Sequence, residues 1–232
     1  MMRIIHDEFL YQLTFLPGIF PVNCYFVRED DGLTLLDTAL PYSAEGIVTA
    51  AKTLNIPIVR IVLTHAHGDH IGALDTLKKE LPNASVSISF RDARLLRGDR
   101  TLDADEPNSP IRGGLPKPNT IQTTPDHLLK DGDRIGSLLA ISTPGHTPGS
   151  MSFIDTRNRY LIAGDAFQTR GGFAVAGQFR LLFPFPAMAT WNKEEAMRSA
   201  RRIREFRPAL LAVGHGIMVK NPIEFIDRAI ER

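Results

Sequence analysis

The sequence predicts an α/β fold (α+β in some schemes), in which short buried strands alternate with amphipathic helices. Apolar runs rich in β-branched residues, such as residues 58–63, indicate buried strands. Apolar residues spaced with a period near 3.6, as between residues 44 and 54, indicate helices. A chain of 232 residues can bury its own core, so we predict one domain over residues 1–232.

The first third of the chain predicts a hairpin followed by alternating helix and strand. Apolar residues 24–27 and 33–36 flank a charged turn, which is a hairpin signal. Ser43 is the expected N-cap of the helix at 44–54. The strand at 58–63 precedes a helix whose apolar face is carried by residues 71–81.

The second half predicts more short strands and two capped helices. The strands are expected at residues 138–142, 151–154, 160–163 and 210–213. Asn192, with Glu195 three residues later, resembles a capping box at a helix start. Asn221 and Pro222 are expected to begin the last helix.

Two long segments interrupt this pattern. Residues 99–126 are crowded with proline and glycine, which is typical of functional or mobile loops. Residues 168–191 begin rich in glycine and continue strongly apolar. The second segment either lines a substrate pocket or covers a core or an interface between copies, and the sequence leaves both open.

The composition of the chain disfavours several classes of protein. The net charge is +1, so no global field draws the chain to nucleic acid or to a membrane. Cys24 is the only cysteine, which excludes an intramolecular disulfide. The first eight residues lack a signal-peptide layout, and no apolar run is long enough to cross a bilayer. We predict a cytoplasmic protein with a small-molecule substrate, no nucleic-acid partner and no membrane partner; a homo-oligomer stays open.

The most informative segment directly follows the strand at 58–63. It places three imidazoles and a carboxylate within six residues: His65, His67, Asp69 and His70. Imidazole nitrogen and carboxylate oxygen are good ligands for zinc and similar ions. In extended backbone His65 and His67 point to the same side and could share one ion. Asp69 and His70 lie where the chain turns into a helix and could face a second.

Three further candidates also follow apolar strands. His146 lies in a Pro-Gly turn, Asp165 follows Gly164, and His215 stands between two glycines. Each alone could be a turn residue or a helix cap, but four such strand ends in one chain favour a shared metal site. His6 and His127 fit no such pattern and are expected to be incidental.

The order His-x-His-x-Asp-His, then His146, Asp165 and His215, resembles the metallo-β-lactamase superfamily. The flanking segments Asn23-Cys24-Tyr25, Leu36-Asp37-Thr38 and Thr143–Gly149 match as well. The resemblance covers nearly the whole chain. It implies a four-layer αββα sandwich of two mixed sheets with helices outside.

The resemblance also implies roles for particular residues. His65, His67 and His146 would bind one ion, and Asp69, His70 and His215 would bind the second. Asp165 would bridge the two ions. Asp37 would orient a ligand imidazole. The expected cofactor is two divalent ions, zinc in the first place, with iron or manganese as alternatives.

The sequence and the resemblance together lead to the hypothesis of a dinuclear hydrolase, in which a metal-bound hydroxide attacks a carbonyl carbon. Asp69 is the candidate catalytic residue, for proton transfer. Within the superfamily we favour an ester, thioester or lactone substrate. The near-neutral charge and the lack of room for an inserted domain weigh against a nuclease. Glyoxalase II itself is disfavoured by the single short helix that follows His215, and a quorum-quenching lactonase by the lack of a tyrosine between Asp165 and His215. The alternatives are a mononuclear iron oxidoreductase of the persulfide dioxygenase type, a phosphodiesterase or nuclease, and a non-enzymatic binding module.

Overall fold

The structure is a computed structural model that describes residues 2–232. Its strands form two large mixed sheets. The first sheet has seven strands in sequential order: β1 Arg3–Asp7, β2 Leu10–Phe15, β3 Val22–Glu29, β4 Gly32–Leu36, β5 Ile58–Val62, β6 Ser85–Ser89 and β7 His127–Leu129. Strands β1 to β4 are antiparallel neighbours, whereas β4 to β7 run parallel.

The second sheet has six strands in the order β15-β14-β11-β10-β9-β8. These are β8 Arg134–Ile135, β9 Leu138–Ser142, β10 Met151–Asp155, β11 Tyr160–Ile162, β14 Leu210–Ala212 and β15 Val219–Lys220. Only β11 and β14 are parallel. A separate small hairpin joins β12 Phe167–Gln168 to β13 Ala174–Val175.

The described residues also contain seven α-helices. They are α1 Ala44–Leu54, α2 Gly68–Ile71, α3 Leu74–Glu80, α4 Asp92–Leu96, α5 Phe185–Ala189, α6 Lys193–Glu205 and α7 Ile223–Ile230. None of the helices in residues 2–232 combines the length and the apolar character needed to cross a bilayer.

Alternation along the strands creates three apolar layers. In β3, Tyr25 and Val27 face the core between the two sheets, where Phe153 of the second sheet also lies. Cys24 and Phe26 face the opposite side, in the cluster that contains residues of α1 and α3. Residues of α6 and α7 pack in a third cluster on the outer face of the second sheet. The four-layer αββα sandwich expected from the sequence is confirmed.

The predicted helix over residues 71–81 is in fact two helices, α2 and α3. The Gly72 N–H donates to the carbonyl of Ala39, at 2.8 Å, instead of continuing the helix. Strands β1 and β2 were not predicted. In β1 the side chains are mostly exposed, and in β2 all six residues are buried, so neither shows the alternation that marks a strand half-covered by a core.

The structure can be compared with the three predicted helix N-caps. Asn192 caps α6, because its side chain accepts hydrogen bonds from Glu194 and Glu195 N–H groups. The Ser43 hydroxyl accepts from Leu40 N–H and makes no cap bond to α1. Asn221 lies one residue before the cap position of α7. Ser43 therefore occupies the predicted N-cap position of α1 but makes no side-chain cap bond, whereas the prediction that Asn221 caps α7 was wrong by one residue.

The strand ends set up the functional region. The loops after β5, β9, β11 and β14 leave the sheets on the same edge of the sandwich, where their side chains meet. Residues 97–126 contain no helix or strand, and this stretch includes the proline- and glycine-rich segment 99–126. Residues 168–191 contain only short elements, including β13 and α5.

Candidate metal centre

The structure brings all seven predicted ligand side chains together. They come from the loops after four strands and from the short helix α2. The side chains form three groups, and within each group the potential ligand atoms lie within 4.8 Å of one another. The groups are His65, His67 and His146; His65, His70 and Asp165; and Asp69, His70 and His215. Six of the seven residues are buried, and Asp69 is partly exposed. His6 stacks on Tyr11, and His127 lies on β7; both are outside these groups.

Asp37 determines how two of the imidazoles are oriented. Its Oδ2 accepts a hydrogen bond from His70 Nδ1, at 2.8 Å, and another from the Thr64 hydroxyl, at 2.8 Å. Because the Thr64 proton is used in this way, Thr64 Oγ1 accepts from His65 Nδ1, at 3.0 Å. Both imidazoles therefore carry the proton on Nδ1 and keep a free lone pair on Nε2. Asp37 itself has a φ of 60°, a backbone region that aspartate tolerates better than most residues.

The other three imidazoles are held by acceptors in the same manner. His67 Nε2 donates to the Arg112 carbonyl, at 2.9 Å, and His215 Nδ1 donates to the Pro21 carbonyl, at 2.8 Å. His146 Nδ1 donates to Thr190 Oγ1, whose own proton goes to a carbonyl. This leaves lone pairs on His67 Nδ1, His146 Nε2 and His215 Nε2.

All five free lone pairs face the same small volume. His67 Nδ1 and His146 Nε2 lie 2.9 Å apart, although neither has a proton to share. Within residues 2–232, His65 Nε2, His70 Nε2 and Asp165 Oδ1 are buried without a hydrogen-bond partner. Buried polar atoms are normally satisfied. A donor set of imidazole nitrogens and carboxylate oxygens that lacks protons fits metal ions of the zinc type.

The electrostatics of the site also fit cations. Asp37, Asp69, Asp92 and Asp165 form no ion pair with lysine or arginine among residues 2–232. The three carboxylates that lie among the imidazoles, those of Asp37, Asp69 and Asp165, thus have no lysine or arginine partner, and bound cations would offset their negative charge.

The pKa shifts follow from this arrangement. Burial lowers the pKa of His65, and that of His146 to about 3. Burial also opposes protonation of His215, but the carboxylates of Asp165 and Asp69 outweigh it and raise its pKa to about 10. For Asp165, burial is outweighed by His215 and His70, which lower its pKa. Burial is likewise outweighed at His70, where Asp165, Asp37 and Asp69 raise the pKa. Without a cation, Nε2 of His70 and of His215 therefore carries a proton near neutral pH, and a bound metal ion would replace that proton. The centre of the site thus attracts positive charge beside Asp165.

A pocket of about 430 Å³ opens onto the cluster. Its polar floor includes Asp69, whose side chain is 28 % exposed and is the most accessible of the seven. One wall is apolar and is formed by Phe20, Phe185, Pro186, Met188 and Ala189. Part of the segment 168–191 therefore lines this pocket, while Val175, Ala176 and Trp191 of the same segment pack in the apolar core.

The irregular segment 99–126 also contributes to the lining of the pocket. Gly113 and Gly114 line the pocket, and Gly68 N–H donates to the Gly114 carbonyl, at 2.8 Å. Gly113 has a φ of 92°, and a Cβ there would lie 2.3 Å from His67 Nε2. This segment thus closes directly over one ligand.

Sequence reasoning missed the residues that hold the ligand loops. Tyr25 OH and Asn23 Nδ2 both donate to the Val213 carbonyl, at 2.6 and 2.8 Å, and so fix the loop that carries His215. Asp92, at the start of α4, binds two other ligand loops. Asn23 and Tyr25 could be found only as flanks of a resemblance, and Asp92 had no signal in the sequence.

Comparison with known proteins agrees with this geometry. Residues 17–215 match the family model described as "Metallo-beta-lactamase superfamily". The chain is 58 % identical to the uncharacterized protein YobT of Bacillus subtilis, over 100 % of this chain and 98 % of that one. It is 31 % identical to the probable metallo-hydrolase YflN of the same organism, over 84 % and 80 %. A metallo-beta-lactamase from Pontibacter korlensis has a similar structure, with a TM-score of 0.74 at 16 % identity and full coverage of both chains.

Proposed function

Since the chain belongs to the metallo-β-lactamase superfamily, we propose that it is a dinuclear metal-dependent hydrolase of an ester, thioester or lactone. The observation that carries the proposal is the direction of the ligand atoms. In each of the five imidazoles one ring nitrogen donates a hydrogen bond to an acceptor, so the other ring nitrogen can offer a lone pair. These five nitrogens and the Asp165 carboxylate face one volume. Binding of a metal ion of the zinc type requires this arrangement of donor atoms.

In this proposal each ion would have its own set of ligands. His65, His67 and His146 would hold the first ion, and their ligand atoms form one of the three compact groups. Asp69, His70 and His215 would hold the second ion. Asp165 would be shared by both sets, since its Oδ1 is 3.4 Å from His70 Nε2 and its Oδ2 is 3.3 Å from His146 Nε2. Zinc suits these nitrogen and oxygen donors best, with iron or manganese as alternatives.

When bound, a pair of divalent ions supplies Lewis acidity that activates water and polarises a carbonyl. The protein residues contribute position and proton transfer. Asp69 is the only one of the seven whose carboxylate is substantially open to the pocket. Burial would raise the pKa of Asp69, but nearby His70 and His215 outweigh it and lower that pKa. The Asp69 carboxylate is therefore ionised and can accept a hydrogen bond from the attacking water. Because it is open to the pocket, we assign it the acceptance of that water's proton, in addition to its role as a ligand.

The pocket wall supports a substrate with an apolar portion. Phe20 packs against both Phe183 and Phe185, with ring centroids 5.1 Å apart in each case. Aromatic side chains from two separate loops therefore pack together at this wall. The wall has no charged residue that could recognise a phosphate or a nucleic-acid backbone. We therefore propose a small-molecule carbonyl substrate with an acyl or alkyl chain lying against this wall.

The test combines metal removal with a substrate panel. Full-length protein is stripped with a chelator, reconstituted with zinc, manganese or iron, and assayed on p-nitrophenyl esters, acyl thioesters, lactones and a phosphodiester. The expected result is hydrolysis of a carbonyl substrate that is lost on stripping and restored by metal. Hydrolysis of the phosphodiester alone would contradict the substrate class. One tightly bound iron per chain, with oxygen consumption and no hydrolysis, would contradict the proposal as a whole.

A further inference from the structure

We infer that Asp92 is a positioning residue that assembles the first metal subsite without contacting its ion. The inference rests on the proposed assignment of His65, His67 and His146 to one ion. These three ligands come from two loops that are 79 residues apart in sequence, between His67 and His146. Some part of the protein must hold the two loops at the correct separation, and Asp92 contacts both.

The contacts of Asp92 are divided between the two loops. Its Oδ2 accepts from Ala66 N–H, at 3.0 Å, and Ala66 lies between the first two ligands. The same oxygen accepts from the Thr147 hydroxyl, at 2.7 Å, and Oδ1 accepts from Gly149 N–H, at 2.8 Å. Thr147 directly follows His146. One carboxylate therefore connects the backbone between two ligands to the turn that carries the third.

Asp92 is itself held firmly. It is completely buried, and its own N–H donates to Ser89 Oγ at the end of β6, at 2.9 Å. The turn at Gly149 approaches so closely that a Cβ there would lie 2.5 Å from Asp92 Oδ1. The carboxylate thus sits on a rigid strand end and is in direct contact with both loops.

Stability alone is a poor reason for a carboxylate at this position. A buried charge without a cationic partner costs free energy, and a well-packed apolar side chain is often at least as stabilising. No lysine or arginine lies within ion-pair distance of Asp92 among residues 2–232. What an apolar side chain cannot do is accept three hydrogen bonds from two loops and so fix the distance between them.

The second subsite is held by other residues. Asp37 orients His70, and Tyr25 and Asn23 fix the loop that carries His215. The hydrogen bonds of Asp92 go to Ser89, Ala66, Thr147 and Gly149, and none goes to Asp69, His70 or His215. Loss of Asp92 should therefore weaken binding of the first ion and leave binding of the second nearly unchanged.

The experiment is a Co²⁺ titration of metal-free full-length protein, followed by its visible absorption bands. His146→Ala and His215→Ala each remove a ligand from one subsite, and so identify which step of the titration belongs to which subsite. Asp92→Ala should lower the affinity of the first subsite by about 10–100-fold, the range found when groups that orient metal ligands are removed. Asp92→Asn should lie between wild type and Asp92→Ala. Its amide oxygen can still accept from Ala66 and Thr147, while its NH₂ group faces Gly149 N–H.

Asp75→Asn is the matched control. Asp75 also accepts from two backbone N–H groups and one threonine hydroxyl, those of Gln122 and Thr123. It lies outside the ligand groups, and Asp75→Asn should leave both titration steps unchanged. Thr147→Val removes one bond to Asp92 at nearly constant volume and serves if Asp92→Ala does not fold, as judged by near-UV circular dichroism.

The outcomes separate the two proposals. Failure of the wild-type protein to bind two Co²⁺ ions would contradict the proposed function and not the role of Asp92 in particular. Two-step binding by the wild type, with both steps weakened equally in Asp92→Ala and Thr147→Val or with neither weakened, would overturn the role of Asp92 and leave the proposed function standing.

Discussion

Replacing Asp37 by asparagine should lower the metal affinity of both proposed subsites, although Asp37 is not itself a proposed ligand. The side chain accepts three hydrogen bonds from buried donors, two at Oδ2 and one, from Thr64 N–H at 2.7 Å, at Oδ1. Through His70 it orients a proposed ligand of the second ion, and through Thr64 it orients His65, a proposed ligand of the first. Asparagine has nearly the same size, so packing is retained while one acceptor oxygen becomes an NH₂ group.

The size of the effect can be worked from these contacts. In Asp37→Asn, the better orientation of the new amide places its oxygen toward Thr64 Oγ1 and His70, and its NH₂ group against Thr64 N–H. One buried donor then has no acceptor, which costs about 1–3 kcal/mol. The two bonds that remain lose a charged acceptor, at about 1 kcal/mol each. Metal-free Asp37→Asn should therefore be less stable than wild type by roughly 3–5 kcal/mol, and its metal affinity should fall by about 10–100-fold.

Two measurements check this prediction. Urea unfolding of the metal-free proteins gives the difference in unfolding free energy, and competition with a chromophoric chelator gives the affinities of both ions. Asp75→Asn is again the control for loss of a similar set of bonds away from the site. Affinities of Asp37→Asn within about twofold of wild type for both ions would refute the reasoning, because imidazole orientation would then not depend on Asp37.

Four further predictions follow from the site and its surroundings. Asp165→Ala should lower metal content and turnover together; an active variant that retains two ions would contradict the bridging role. Gly214→Ala should reduce metal content without removing a ligand, because a Cβ at this position would lie 2.0 Å from Asp165 Oδ1; normal metal content by mass spectrometry would contradict this clash. Phe185→Ser should lower kcat/KM more for long acyl chains than for acetyl esters, and an equal loss for all chain lengths would count against the apolar wall. For Asp75, burial is outweighed by hydrogen bonds from Thr123 and Gln122, which lower the pKa below 3.8, so its contribution to stability is present above that pH and lost below it; the stability difference between wild type and Asp75→Asn should shrink as the pH falls from about 5 to about 2, and a difference that grows would contradict the sign.

The fold class and the ligand set could be predicted from the sequence because both leave local patterns. Runs such as residues 58–63 mark buried strands, and the histidine cluster follows one of them directly. His146, Asp165 and His215 could be joined to that cluster only through their order along the chain and through the resemblance to a known family. Their convergence depends on how two sheets pack, which no local pattern records.

The residues that the sequence could not reveal act over long separations. Asp92 stands in an ordinary polar helix start, and its partners lie 26 to 57 residues away. The hydroxyl of Ser43 was expected to cap a helix, but a nearer backbone donor, Leu40 N–H, occupies it. In both cases a tertiary or turn contact decides what the side chain does, and local propensity is silent about it.

The functional proposals for this protein depend on one claim, that seven side chains hold two metal ions. Anomalous diffraction at the zinc edge from a zinc-loaded crystal tests this most directly. We expect two peaks about 3.5–4 Å apart, one beside the nitrogens of His65, His67 and His146 and one beside Asp69, His70 and His215, with Asp165 between them. A single peak, or zinc bound away from these atoms, would contradict the dinuclear assignment.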